Sequence, residues 1–266
     1  MRIIPLGTSG FFPTQTRETC CILLHLGREA ILLDAGTGVK WLGADRVKAE
    51  LAGTESLHVV LTHLHHDHLC GLTWLLQLWR GELTFWVPVE PLVEVNGLKA
   101  LDLLTGPPYF SLPLGQWPQR PNLRPLRSGL NNVANIELET MPQRHKGGSA
   151  GIRVDTFGYV TDTEPSASHR SFLNGVSFLT VDSMFDRSAY AAAAGEAGTK
   201  DHGSGETSAR LAADVGAVKL GLIHLNPTFE EDRISNVLYE AQQVFPSAEL
   251  LVEGDEYEAQ ESEVGQ

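Results

Sequence analysis

Residues 62–68 read Thr-His-Leu-His-His-Asp-His and follow directly on the apolar run Leu57–Leu61. No other stretch constrains the chain as tightly, because His63, His65, Asp67 and His68 place metal-capable side chains almost side by side. At a strand end, residues two apart face the same side, so His63 and His65 can grip one ion while Leu64 turns into the core. The chain must then turn. Gly71 and the apolar run Leu72–Trp79 predict a helix over about residues 69–79. Asp67 and His68 fall at the turn before it, displaced enough to face a second ion.

One motif cannot complete two metal sites, so further ligands must come from elsewhere. Three candidates each lie just past an apolar run: His145 in Pro-Gln-Arg-His, Asp162 in Tyr-Val-Thr-Asp-Thr, and His224 in His-Leu-Asn-Pro. The surrounding pattern predicts strands at Arg2–Leu6, Cys20–Leu26, Ala30–Leu33, Ser56–Leu61 and Leu83–Val87. In the second half it predicts strands near Ile136–Thr140, Ala150–Asp155, Gly158–Thr161, Val176–Val181, Lys219–Ile223 and Glu249–Val252. Helices are expected over Leu92–Leu104, Gly205–Val215 and Phe229–Phe245. The Pro- and Gly-rich residues 105–122 read as an irregular loop. Its Tyr109, Phe110 and Trp117 either line a pocket that shapes specificity or cap the core. Two strand-rich halves, each finished by helices, predict an α/β fold of four layers, an αββα sandwich.

The chain has 266 residues, and no linker or repeat divides it, so one domain over 1–266 is expected. No apolar stretch approaches the roughly 20 residues of a membrane span. Cys20, Cys21 and Cys70 suggest no disulfide framework, which makes the cytoplasm the expected compartment. With 20 Lys and Arg against 33 Asp and Glu, the formal charge is −13. Such a chain repels polyphosphate backbones and lacks the basic footprint of a nucleic-acid binder. Part of the charge is local, since Glu253–Glu263 carries six acids and no Lys or Arg. The tail 253–266 is therefore expected to be solvated and frayed. Arg120, Arg124, Arg127, Arg144 and Lys146 form either a basic patch or, as composition favours, scattered surface charge.

The ligand set resembles that of the metallo-β-lactamase superfamily. Leu6–Gly10 (Leu-Gly-Thr-Ser-Gly) and Leu32–Gly36 (Leu-Leu-Asp-Ala-Gly) look like its opening strands, and the resemblance runs over nearly the whole chain. Within it, the chain is similar to the ribonuclease Z and cyclic-phosphate phosphodiesterase branch. Pro107–Phe110, Val181–Phe185 and the segment Lys200-Asp-His-Gly-Ser look like the phosphodiesterase side. The resemblance implies that His63, His65 and His145 bind one metal, that Asp67, His68 and His224 bind a second, and that Asp162 bridges them. It further implies that Asp67 belongs to the catalytic centre, that His202 assists departure of the leaving group, and that Asp34 orients ligands from behind. His202 is followed by Gly203-Ser204 rather than the Ser-Thr of ribonuclease Z, a departure that bears on its placement.

Imidazole and carboxylate donors suit two divalent ions, Zn²⁺ first, with Mn²⁺ or Fe also compatible. Two such ions about 3.5–4 Å apart lower the pKa of a shared water and stabilise charge on a transferring phosphoryl group. The expected activity is a phosphodiesterase acting on a small, even cyclic, nucleotide or sugar phosphodiester by metal-hydroxide attack. The resemblance implies a basic tRNA-gripping arm in ribonuclease Z. The 39 residues between Asp162 and His202 hold only Arg170, Arg187 and Lys200 as fixed cations, so tRNA 3′-processing is the weaker alternative. Thioester, lactone or lactam hydrolysis at the same ions, and a non-catalytic sensor, complete the alternatives. A homodimer is compatible with the composition, and no membrane partner is expected. His25, His58, His66 and His169 are expected to be no ligands, Cys70 a small filler, and Trp74 and Trp79 core.

Overall fold

The computed structural model describes residues 1–193 and 201–260; Lys200 and the end of the acidic tail lie outside them. Its frame is two seven-stranded sheets. The first lays β1 (Arg2–Gly7), β2 (Cys21–Leu26), β3 (Glu29–Leu33), β4 (Ser56–Val60), β5 (Glu82–Pro88) and β6 (Asn122–Leu126) side by side. The second does the same with β7 (Gly129–Val133), β8 (Ile136–Gln143), β9 (Ser149–Val154), β10 (Phe157–Val160), β11 (Phe178–Asp182), β12 (Lys219–Ile223) and β13 (Ala248–Leu250). The last strand, β14 (Tyr257–Glu258), returns to the first sheet and pairs antiparallel with β1. Pairing is antiparallel from β1 to β3 and from β7 to β10. It is parallel from β3 to β6 and from β10 to β13.

Strand side chains alternate between faces, so a strand apolar at every position needs cover on both sides. Ile3, Ile22, Leu24 and Ile31 of the first sheet meet Leu138, Ile152, Phe157 and Tyr159 of the second in a central layer. Their sequence neighbours Ile4, Leu23 and Leu32 face the other way, beneath Leu75, Trp79, Leu101 and Trp117. On the far side, Leu179, Val181, Leu220 and Leu222 pack under Ala209, Ala212, Ile234 and Val237. These three apolar layers separate four layers of secondary structure, the expected αββα sandwich. Each fully buried Leu, Ile or Phe contributes about 1.5–3 kcal/mol. An exposed ion pair such as Arg170–Asp214 is worth about 0–1. The layers therefore dominate.

The outer cover comes from α1 (Asp45–Glu50), α2 (Leu75–Leu78) and α3 (Gly97–Leu104) on the first sheet, and from α4 (Ser168–Phe172) on the second. After α5 (Arg187–Ala193), which buries no residue, α6 (Gly205–Val215) and α7 (Glu231–Gln242) complete the second face. Helix α6 has the bounds its sequence predicts. Ser204 and Thr207 form a reciprocal capping box at its start, and Gly216 at φ 71° ends it. No helix of the described residues is long and apolar enough to cross a membrane.

Trp79 is core as expected, but Trp74 at the surface end of its turn is 39% exposed. Four further expectations are corrected. The helix over 69–79 shrinks to Leu75–Leu78, preceded by 3₁₀ turns. The backbone there is already engaged: Gly71 N–H donates to Ala35 O at 2.9 Å, and Ala35 N–H to His68 O at 2.8 Å. The helix expected from Leu92 starts at Gly97, where the Asn96 side chain caps Lys99 N–H. Strands β6 and β7 escape the apolar pattern because each has mostly solvent-facing residues. In the loop 105–122, Trp117 is buried with its edge on Phe85 at 6.2 Å, while Tyr109 is exposed, so the core-capping reading holds for Trp117.

The acidic tail is the fourth. Its described part is docked, not frayed. Glu253 Oε1 accepts the backbone N–H groups of Thr8 and Glu18 at 3.1 and 2.8 Å, and Oε2 accepts Trp41 Nε1–H at 3.2 Å. Burial pushes the Glu253 carboxyl up to about 7, against the lowering influence of these donors. In an unfolded chain the group titrates near 4.3. Folding is thus favoured most below that pH, and stability is lost as pH rises through about 7. Relative to wild type, Glu253→Gln is expected to gain roughly 2–6 °C in melting temperature between pH 5 and pH 8. Parallel melting-temperature differences across that range would remove the coupling.

Candidate metal centre

Both sheets deliver their chemistry at one edge. The motif loop His63–His68 follows the C-terminal end of β4, His145 follows β8, Asp162 follows β10, and His224 follows β12. Chain ends of parallel strands leave backbone groups and side chains facing a common crevice. Asp34, Asp162 and His224 all adopt left-handed backbone, at φ 60°, 53° and 53°. A non-glycine residue held there costs about 1–3 kcal/mol. These strained corners swing each side chain from its strand axis toward the crevice.

The seven expected ligands converge. Asp162 Oδ1 lies 3.8 Å from His63 Nε2 and 3.6 Å from His145 Nε2, and also 3.2 Å from His224 Nε2. Its Oδ2 lies 3.0 Å from His68 Nε2. His65 Nδ1 lies 3.0 Å from His145 Nε2. Asp67 Oδ2 sits 3.4 Å from His224 Nε2 and 3.5 Å from His68 Nε2. Donor atoms bound about 2.0–2.2 Å from a common ion lie about 3.3–3.6 Å apart in tetrahedral geometry, so these spacings fit shared ions. One carboxylate oxygen therefore faces both imidazole groups, as a bridge would require.

Polar accounting points the same way. His63 Nε2, His68 Nε2 and both ring nitrogens of His224 are buried with no hydrogen-bond partner among the described residues. A buried polar atom left so costs about 1–3 kcal/mol unless an ion or water takes it up. The carboxylates sharpen the demand. Burial alone would lower His68 and His224, yet the negative charge of Asp162, with Asp34 or Asp182, raises both well above their ordinary range. Burial would raise Asp67, but the nearby imidazoles of His224 and His68 hold it well below its ordinary range. The field that attracts protons to these imidazoles would equally hold a dication, whose binding displaces them. Two divalent cations fit the donor set.

Behind the donors stands a supporting layer. Asp34 is fully buried and accepts His68 Nδ1–H at 2.7 Å, Thr62 N–H at 2.7 Å and Tyr159 O–H at 2.9 Å. This fixes the His68 tautomer with Nε2 facing the cluster. Asp182 does the same on the other side. It accepts the backbone N–H groups of Asp162, Met184 and Gly203, and its Oδ2 lies 2.8 Å from His202 Nδ1. His202 is thereby held with its ring stacked on His224 at 5.0 Å and near His145 at 5.4 Å. Burial would lower His202, but Asp182 raises it above its ordinary range. The sequence reading assigned no role to Asp182 or Tyr159. Asp182 ends an apolar strand as Asp162 does, and that signal alone could have marked it.

A cavity of about 430 Å³ opens over the cluster, lined by His65, Asp67, His145, Asp162, His202 and His224. Phe11, Lys146, Met184, Asp201 and Asn226–Thr228 form its remaining walls. None of Tyr109, Phe110 and Trp117 borders it, so the loop expected to shape specificity is not part of this wall. Of the five basic residues in question, Lys146 alone among the described residues lines it. His25, His58 and His169 are occupied elsewhere, with Gly27 O, Glu29 and Ser166 respectively. His66 is exposed, and Cys70 pairs loosely with Thr19 at 3.7 Å. Cys20, given no ligand role from the sequence, lies near His68 and His224, but burial pushes its thiol up to about 11.

A protein-family model described as the beta-lactamase superfamily domain matches residues 29–225. The chain belongs to the metallo-β-lactamase superfamily. Ribonuclease Z of Haloarcula marismortui is 37% identical over 79 residues, 30% of this chain and 24% of that protein. The match thus spans about a quarter of that relative's length. Among solved structures, the metallo-β-lactamase fold protein YhfI of Bacillus subtilis superposes with a TM-score of 0.74 at 19% identity, covering 96% of this chain and 98% of that one. A diphosphatase of the PhnP family gives 0.68 at 15% identity and 97% coverage of both chains. At such identity the likeness to these superfamily members is one of fold.

The donor geometry predicts uptake of two Zn²⁺ ions per chain. Asp162→Ala should retain at most one after dialysis, and Asp34→Ala should weaken binding about 10–100-fold. Elemental analysis and competition with a chromogenic chelator read both. An Asp162→Ala protein holding two ions as tightly as wild type would remove the shared-carboxylate role.

Proposed function

We propose that the protein is a dinuclear metal-dependent hydrolase that cleaves small phosphodiesters. His63, His65 and His145 hold one ion, Asp67, His68 and His224 the other, and Asp162 is shared between them. When bound, the ions supply a water acidic enough to ionise near neutral pH and a positive field for the phosphoryl group. Zn²⁺ suits the nitrogen-rich donor set, with Mn²⁺ or Fe as the other compatible ions.

The observation that carries the reading is the His202–Asp182 pair at 2.8 Å, set in the cavity wall beside both ligand groups. Asp182 takes Nδ1–H, which leaves Nε2 as the proton donor. The carboxylate of Asp182 shifts the ring upward in pKa, toward the protonated form a donor requires. A phosphodiester with an alkoxide leaving group needs such a donor, because a poor leaving oxygen must be protonated as the P–O bond breaks. Cavity size supports a small substrate, since sites for small molecules occupy about 300–1,000 Å³. Lys146 adds one positive charge at the rim, far short of the cationic track a folded RNA needs.

A ribonuclease Z-like tRNA endonuclease is the second reading, favoured by the 79-residue match to a protein of that name. A single screen separates them. The Zn²⁺-loaded protein is expected to turn over bis(p-nitrophenyl) phosphate and cyclic nucleotides, and to leave a tRNA precursor, a thioester, a lactone and a chromogenic cephalosporin uncut. Turnover confined to a carbonyl substrate or to the tRNA precursor would overturn the reading. Within the phosphodiester series, His202→Ala is expected to lose about 10²–10⁴ in kcat with alkyl leaving groups. It should lose far less with p-nitrophenolate, with metal content unchanged. An equal loss across leaving groups would exclude a proton-donor role.

A further inference from the structure

We propose, building on the phosphodiesterase reading, that Phe11 is a stacking platform for a planar ring of the substrate, so that nucleotide or aryl esters are preferred over sugar esters. Phe11 lines the cavity over the cluster and is 75% exposed, an unusual setting for so large an apolar ring. Its backbone is left-handed, at φ 62°. For a phenylalanine that conformation is a true outlier, maintained only where surrounding contacts over-determine it.

Those contacts are visible. Phe11 N–H donates to Asp67 Oδ2 at 2.8 Å, and Gly10 N–H donates to Leu225 O at 3.0 Å. Gly10 lies flat on His224, where a Cβ would come within 2.6 Å of the ring. The turn is thus pinned at both sides to candidate metal ligands or their neighbours, and the Phe11 side chain is left standing at the cavity wall. Phe12 touches it edge-on, with centroids 5.7 Å apart and planes at 60°, rather than covering it face to face. The backbone amide alone would serve Asp67 in any residue, and glycine would adopt this φ without strain. A phenylalanine at the position supplies one thing glycine cannot, an apolar π-face beside the place where the phosphoryl group would bind.

The test uses Zn²⁺-loaded full-length protein and two probes that differ only by a base: adenosine 5′-monophosphate and ribose 5-phosphate. Base–aromatic stacking predicts that wild type binds the nucleotide roughly 5–150-fold more tightly by calorimetry. Phe11→Tyr should keep the preference. Phe11→Gly, which relieves the backbone strain and retains the amide, should keep its zinc and its affinity for ribose 5-phosphate while the preference falls to about threefold or less. Equal binding of the two probes by wild type, binding of neither, or a preference that survives Phe11→Gly would each overturn the platform. Failure of the phosphodiester screen with the base preference intact would remove the reaction and leave the ring site standing.

Discussion

Seven donor side chains occupy one crevice, and they cannot satisfy one another. Imidazole nitrogens of His63, His68 and His224 are buried without a hydrogen-bond partner among the described residues. Asp67 and Asp162, facing them, are held ionised by the same neighbours. In a medium of low dielectric such a cluster is expensive, and a divalent ion is the species that matches it in charge, size and number of donors. The remaining features of the site serve to keep this arrangement in place. Asp34 and Asp182 fix ring orientation from behind, and Thr62 and Tyr159 in turn fix Asp34.

Holding the cluster requires strain that the sandwich must absorb. Asp34, Asp162, His224 and Phe11 all sit at positive φ around the crevice. At about 1–3 kcal/mol each, that is a sum comparable to the net stability of a typical domain. Left alone, these turns would relax. They persist because the first three each follow a strand buried on both faces, with Leu33, Thr161 and Ile223 fully excluded from solvent immediately before them, and Phe11 is tied to Asp67. The three apolar layers thus do more than stabilise the fold; they hold strand ends in conformations that no isolated peptide would choose.

This division explains what the sequence reveals and what it hides. The αββα frame is legible because strands covered on both faces must be almost wholly apolar, and runs such as Ile22–Leu26 have no other reading. The candidate ligands are legible because metal-capable residues directly after such runs are rare. Other features depend on contacts distant in sequence. The 69–79 helix fails because Gly71 and His68 are bound to the Ala35 backbone, which periodicity cannot register. Strands β6 and β7 exist by virtue of their neighbours' hydrogen bonds. The acidic tail looks disordered by composition, yet Glu253 is held by donors from Thr8, Glu18 and Trp41, more than 200 residues away.

Asp182 shows how far one buried carboxylate can organise such a site. Its oxygens accept the amides of Asp162, Met184 and Gly203, and they face Nδ1 of both His202 and His224. The backbone turn that aims Asp162, the ring of one candidate metal ligand and the ring of the proposed proton donor are therefore registered to a common point. Had His202 been carried on an untethered loop, each degree of lateral freedom would lengthen the proton path relative to the ions. Since a misplacement of about 1 Å can cost a hundredfold in rate, anchoring donor and ligand to one carboxylate is the economical solution. The same logic applies to Phe11, whose amide ends on Asp67. The proposed substrate wall, the proposed proton donor and the candidate ion ligands are thus coupled through two aspartates rather than through the loops that carry them.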